Sequence, residues 1–337
     1  MKVCIVGLGR AGRFHLNSIN LIPSCEVKYI IDPVIACDIP ADIADCSIEV
    51  LDHADKALQD PEVSAFIVSP PTQFHFGYIK QALSAGKHVF TEKPLGKTTT
   101  EIEECYDLAA ANQLCLFLGF QRRYDENFIA LKKEISTIGP IRTLKASSRD
   151  NPKPSLDYLK ISGNIFHDML IHDLDMLLYL FDGQPPKTIY ACGHAYDSDI
   201  ASLADWDTVQ LTIQFENGMI CSIDTSRTAP YGYDQRLELF GEHGMAIAEN
   251  VKNNTVQVYT EQGQQASPIN YSFPQRYVAA YENEIADFIA SIENGTKKHN
   301  ISRSECLHAH HMADAAHESI KTGQVINYQN YLNNIHE

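Results

Sequence analysis

Lys2-Val3-Cys4-Ile5-Val6-Gly7-Leu8-Gly9-Arg10-Ala11-Gly12 is the stretch that decides the fold. A short apolar run rich in β-branched residues reads as a buried strand. It leads straight into G-x-G-x-x-G, the spacing that turns a strand into a helix and leaves a pyrophosphate room at the helix amino terminus. The first glycine permits the tight turn, the second lets phosphate approach the backbone, and the third lets helix and strand pack closely. A second strand over 27–31 ends in Asp32, twenty residues after Gly12, where a carboxylate can hold the ribose hydroxyls of a dinucleotide. That carboxylate repels a 2′-phosphate, and no Lys or Arg lies between Pro33 and Asp55. NAD is the expected cofactor; Arg10 and Arg13 in the first helical turn could reach phosphate and leave NADP open.

Strands expected at 64–68, 88–91 and 114–119 alternate with amphipathic stretches at 73–84 and 99–112. Such alternation makes a parallel sheet covered on both faces. Ligands bind such a sheet at the carboxyl ends of its strands. Ser69-Pro70-Pro71-Thr72 and Thr91-Glu92-Lys93-Pro94-Leu95 both leave that edge. Lys93 there can donate hydrogen bonds to a substrate oxygen and favour an alkoxide-like transition state. Gly96-Lys97-Thr98 has the end of a phosphate-binding ATPase loop, but Thr91 stands where its first glycine belongs, so that reading is discarded.

After residue 120 the pattern changes. A helix over 127–136 and a strand over 141–147 precede a long, largely apolar helix expected to carry Asp168 and His172. On it Asp168 and His172 stand four residues apart and so share a face, a carboxylate and an imidazole in a setting that otherwise packs. Alternating segments near 186–195, 207–216, 218–228, 236–250 and 255–260 follow, with Asn217-Gly218 as a hairpin turn. Short turns between strands imply a mostly antiparallel sheet. Helices near 276–293 and 302–322 end the chain. The fold class is α/β: an amino-terminal Rossmann parallel sheet over 1–120, and over 121–337 a second α/β domain with a large open, mostly antiparallel sheet.

A chain of 337 residues accommodates two domains, and its formal charge of −16 argues against nucleic acid or an anionic membrane as partner. Nine scattered Cys, without a C-x-x-C pair, fit buried thiols in a reducing cytoplasm better than a disulfide framework. No apolar run approaches transmembrane length, and the amino terminus reads as a strand, not a leader.

Gly7-x-Gly9-x-x-Gly12, Glu92-Lys93-Pro94 and Asp168-x-x-x-His172 together resemble the Gfo/Idh/MocA oxidoreductases. Gln121-Arg122-Arg123-Tyr124-Asp125, Ser148-Arg149-Asp150, Ser162-Gly163-Asn164-Ile165-Phe166 and Tyr231-Gly232-Tyr233-Asp234-Gln235-Arg236 narrow the resemblance to the inositol 2-dehydrogenase branch. The resemblance implies NAD-linked oxidation of a cyclic polyol, most simply myo-inositol to its 2-keto product, and a homotetramer packed through the second domain's sheets. It implies that His172 takes the hydroxyl proton, Lys93 holds the oxygen, and Asp168 orients substrate or tunes His172. Cofactor contacts then fall to Gly7, Gly9, Arg10, Ala11, Gly12 and Asp32, with Ser69, Pro70, Thr72, Glu92, Lys93 and Gln121. Substrate contacts fall to Arg123, Asn151, Tyr231 and Tyr233 beside the catalytic three. The chain departs from the branch at Asn164, where a second glycine is usual, and a left-handed Asn can keep the turn.

Two other classes have some footing in the sequence. A metal enzyme could draw on His167, Asp168, His172, Asp173 and Asp175, with His308, His310 and His311; adjacent residues face different ways on a helix, and the histidine run reads as surface decoration. No metal is expected. A dinucleotide-binding sensor should have lost Lys93 or His172, and this chain keeps both. Within enzymes, a pyranose or scyllo-inositol dehydrogenase is the alternative.

Overall fold

The computed structural model describes residues 1–44, 47–296 and 298–335. They form two compact units, Met1–Tyr124 with Ala279–Leu307, and Asp125–Val278 with His308–Glu337. In the first, β1 (Lys2–Val6), β2 (Glu26–Ile31), β3 (Glu49–Leu51), β4 (Val63–Val68), β5 (His88–Glu92) and β6 (Leu116–Gly119) make one sheet in the order β3-β2-β1-β4-β5-β6. Every pairing is parallel. Between the strands run α1 (Arg10–Asn20), α2 (Ala41–Ala44), α3 (Asp55–Gln59), α4 (His75–Ser84) and α5 (Thr99–Ala111). The strand order reverses between β1 and β4, the switch point at which such sheets open a ligand crevice. Strand β3 was not expected: three residues at a sheet edge leave no periodicity to read.

The second unit opens with α6 (Glu126–Ile138), β7 (Ile141–Arg149) and α7 (Leu156–Ser162). Next come α8 (Ile171–Leu180), β8 (Thr188–His194), α9 (Ser198–Ser202), β9 (Thr208–Gln214) and β10 (Ile220–Ser226). Then follow β11 (Asp234–Gly241), β12 (Met245–Ala248), a small hairpin β13 (Gln257–Thr260) and β14 (Gly263–Ala266), and α10 (Phe273–Arg276). The last elements are α11 (Val278–Glu293), α12 (Arg303–Thr322), β15 (Ile326–Asn327) and α13 (Tyr328–Ile335). The large sheet runs β12-β11-β7-β10-β9-β8-β15, antiparallel throughout except for β7 against β10. Asn217-Gly218 does turn β9 into β10, with the Asn217 side chain accepting from Met219 N–H at 3.0 Å.

The division after residue 120 marks only the chain's first crossing. Helix α11 returns to the first unit, where Ile285, Phe288 and Ile289 pack on Val3, Ile5, Phe90 and Phe117. Phe288 lies 5.9 Å from Phe90, edge to face, and 5.2 Å from Phe117 in a tilted pair. The amphipathic period of 278–293 reveals a helix but not which sheet it covers.

The expected single long helix carrying Asp168 and His172 is corrected. Gly163, at φ +89°, ends α7, and Phe166–Leu170 is a π-helical turn that passes into α8 at Ile171. Asn164 is not left-handed; the positive φ falls on Gly163 instead. The Asn164 side chain caps the turn, its Oδ1 accepting from the N–H groups of Phe166 and His167 at 3.1 Å each. Such wide turns are frequent at functional positions. All eight described cysteines are free thiols, and Cys46 lies outside the described residues. No helix among the described residues is long and apolar enough to cross a membrane.

Candidate active site

The glycine turn has the form a dinucleotide needs. Gly7 sits at φ +79°, and a Cβ there would lie 2.7 Å from the Pro70 backbone. A Cβ on Gly12 would come 2.0 Å from the Gly7 carbonyl. At Gly9, by contrast, a Cβ would meet nothing within 4 Å. Gly9 caps α1 without any side-chain bond, so Arg10, Ala11 and Gly12 open a helix whose first N–H groups point outward. Asp32 ties this loop to β2, its Oδ2 accepting from Leu8 N–H at 2.9 Å and its Oδ1 from Val34 and Ile35 N–H. A carboxylate has about four acceptor positions, so it retains capacity for a ribose hydroxyl. Open space before an uncapped helix and a fixed carboxylate at the second strand end fit NAD.

Four further cofactor candidates leave the same sheet edge. Ser69 Oγ donates toward the Val6 and Gly7 carbonyls at 3.1 and 2.9 Å, so its side chain serves the loop itself. Pro70 closes on Gly7, and Thr72 begins the short turn into α4. Gln121 is buried after β6. His75 was not foreseen: its ring nitrogens lie 2.7 Å from the Pro94 carbonyl and 2.8 Å from that of Pro70. One buried imidazole thus fastens the loop after β4 to the loop carrying half-buried Lys93. Burial lowers the His75 pKa, though both carbonyls oppose that.

Behind Lys93, Glu92 meets His15 at 2.8 Å, and the Glu284 carboxyl of α11 completes a cluster whose facing atoms lie within 4.8 Å of one another. Burial alone would raise the Glu92 carboxyl; the His15 hydrogen bond and nearby positive charge outweigh it and hold it below its usual range. Glu284 is wholly buried with neither oxygen hydrogen-bonded, and burial, then the Glu92 charge, push it well above the carboxylate range. Folding therefore keeps a proton that the unfolded chain releases near pH 4.3, so this group's contribution is greatest below about that pH and declines as pH rises, by up to ~1.4 kcal/mol per unit. Glu284→Gln keeps the shape without that proton. Its melting temperature is expected to exceed wild type at about pH 8, with the gap closing towards pH 5. A pH-independent gap in a melting series would show an ionised Glu284.

In the second unit Asp168 lies buried in the π-turn. Its Oδ1 accepts from Tyr158 Oη at 2.6 Å and its Oδ2 from Arg227 Nη1 at 2.8 Å. Arg227 is completely buried, and its Nη2 donates to Asp205 Oδ2 at 3.0 Å. Asp205 Oδ1 in turn accepts from Ile165 N–H at 3.0 Å, where the turn begins. One guanidinium thus fixes both the carboxylate and the backbone that carries it. Half-buried His172 follows in the first turn of α8.

The expected substrate contacts have structural partners. Arg123 donates to Glu305 Oε1 at 2.8 Å, a half-buried pair within the first unit. Asn151 Nδ2 donates to the Tyr271 carbonyl at 2.8 Å. Tyr231, half exposed, receives a hydrogen bond from Arg149 at 2.8 Å and donates to Asp234 at 2.6 Å. Tyr233 is buried edge-on to Phe273 and Tyr277. The histidine run is not surface decoration: His310 and His311 are buried and His308 bonds Tyr328 Oη at 3.0 Å, because α12 turns this side inward.

A parallel sheet with this glycine turn and acidic second strand defines a nicotinamide-dependent dehydrogenase. The amino-terminal residues 1–120 match the model of an oxidoreductase family with an NAD-binding Rossmann fold, and residues 130–247 match the GFO/IDH/MocA C-terminal domain. The chain belongs to the GFO/IDH/MocA family and is an NAD-dependent oxidoreductase acting on CH–OH groups. It is 37% identical over 331 residues, 96% of each chain, to the uncharacterized oxidoreductase YrbE of Bacillus subtilis. It is 35% identical over 299 residues to the myo-inositol 2-dehydrogenase of Thermotoga maritima, covering 88% of this chain and 89% of that one. The structure of scyllo-inositol dehydrogenase from Lactobacillus casei with bound NAD(H) and scyllo-inositol matches with a TM-score of 0.88 at 28% identity, over 98% of this chain and 99% of that one.

Proposed function

We propose that the protein oxidises one secondary hydroxyl of a cyclic polyol, myo-inositol first, to the ketone. NAD, when bound, accepts the hydride from the carbon being oxidised. His172 takes the hydroxyl proton, a role suited to a side chain that titrates near neutrality. Lys93 holds the same oxygen and stabilises its developing negative charge. Asp168, positioned by Arg227 and Tyr158, orients the ring. Arg123, Asn151, Tyr231 and Tyr233 read the remaining hydroxyls.

The observation that carries this reading is the fixed Asp168 carboxylate four residues before His172, in a chain with relatives named for inositols over most of its length. We also propose a homotetramer packed through the large sheet. Ile220, Phe240, Met245 and Ile247 are exposed on one face of β10, β11 and β12, as an interface needs.

Initial rates of NADH formation with myo-inositol, scyllo-inositol and a pyranose test the reading. Oxidation of myo-inositol is expected, with NAD preferred over NADP by at least ~10-fold and Asp32→Ala narrowing that preference. Dinucleotide binding without turnover of any inositol would sink the assignment and favour a sugar substrate or a sensor.

A further inference from the structure

His167, His310 and Asp314 in the second unit converge with their ligating atoms all within 4.8 Å of one another. His310 and Asp314 stand one turn apart on α12, and His167 comes from the π-turn, immediately before Asp168. His167 Nε2 is 3.0 Å from Asp314 Oδ1, and His310 Nε2 is 3.4 Å from Asp314 Oδ2. Ligands at about 2.0–2.1 Å from a tetrahedral zinc ion lie roughly 3.3 Å apart, close to these two nitrogen–oxygen separations.

The hydrogen bonds decide what lies between the groups. Asn164 Oδ1 accepts from two backbone N–H groups, which fixes the oxygen end of that amide. His167 Nδ1 lies 3.0 Å from the same oxygen and must carry the ring proton. In the neutral ring Nε2 then presents a lone pair to a carboxylate oxygen. Between His167 Nε2 and the carboxylate oxygen at 3.0 Å stands either a proton or a metal cation, and a second imidazole, His310, its ring 5.2 Å from that of His167, faces the same carboxylate. One divalent ion satisfies both nitrogens and the carboxylate together. An Nδ1–H held by an amide oxygen is the outer-shell arrangement of metal-bound histidine. The His167 and Asp314 side chains are 18% and 34% exposed, which leaves an entry path and a fourth position for water.

We propose that His167, His310 and Asp314 bind one divalent first-row transition ion, zinc foremost, which clamps α12 to the turn that carries Asp168. The site is separate from the hydride-transfer chemistry and stands whether or not the substrate is an inositol.

The test is titration of chelator-treated protein with zinc chloride by calorimetry, and with cobalt chloride by visible absorption. One ion per chain is expected, with the intense visible bands of tetrahedral cobalt and a higher melting temperature with zinc. Asp314→Asn and His310→Gln should each weaken binding at least ~10²-fold, and Asn164→Gly by about 10–100-fold through the outer shell. Far-UV circular dichroism shows that each variant is folded; the Asn164 variant leaves all three ligands in place and carries the test if a ligand variant fails to fold. Absence of binding, or binding unchanged in the variants, overturns the proposal and leaves an imidazolium–carboxylate pair.

Discussion

Replacing His172 with alanine is expected to lower kcat for polyol oxidation by at least ~10²-fold, the usual scale for a lost general base. The groups that shape the cofactor cradle, from Gly7 to Asp32, belong to the other unit, so NAD affinity measured by fluorescence should change little. The pH profile gives the sharper readout. In wild type the acidic limb of kcat should report an imidazole that must be neutral to accept a proton. In His172→Ala that limb should vanish, and small amine bases added to the assay should restore part of the rate. Lys93→Ala should also lose ~10²-fold or more but keep the acidic limb, because it removes charge stabilisation rather than the base. A His172→Ala enzyme with an intact acidic limb would transfer the base role to another group.

The parallel sheet was legible because its signals are local. Val3 to Val6 and Ala65 to Val68 are continuous apolar runs, and each runs into turn residues. The glycine turn was legible for the same reason: its spacing is local, and Gly12 answers a close approach to the Gly7 carbonyl five residues back. What the sequence hid was partnership across long separations. Asp168 and His172 could be singled out, but α-helical spacing mispredicted their backbone, since the Asn164 cap and the anchor from Asp205 act through side chains. Arg123 had a partner 182 residues away in Glu305, which no periodicity reveals. His310 and His311 were misjudged because a run of histidines looks polar, while α12 buries that side. Arg227 did leave a trace. Cys221, Ile223 and Thr225 are the buried positions of β10, and period-two alternation carries the inward face on to residue 227. A charged residue in that register needs buried partners of opposite charge, and Asp168 and Asp205 are those partners.

That geometry makes Arg227 the largest single stability determinant we expect in the second unit. Its side chain is wholly enclosed between two carboxylates that are themselves only 8% exposed. Burial alone would depress the guanidinium pKa, but Asp168 and Asp205 more than offset this, so the cation stays charged. Arg227→Met removes this cation from between two buried carboxylates, for which a loss of about 3–5 kcal/mol is expected. Arg227→Lys should recover only part of it, because a point charge cannot reproduce two separate N–H contacts fixed in one plane. The decisive comparison is Arg227→Met combined with Asp168→Asn and Asp205→Asn, followed by thermal melting. If the loss comes from uncompensated charge, the triple variant should melt well above the single one and yet remain catalytically poor, since Asp168 no longer orients the ring. If the triple variant melts no higher, lost packing rather than charge is the cause, and the network's hold on Asp168 is steric. Under the charge account, one buried arginine secures both the fold of the π-turn and the position of the carboxylate that the chemistry uses.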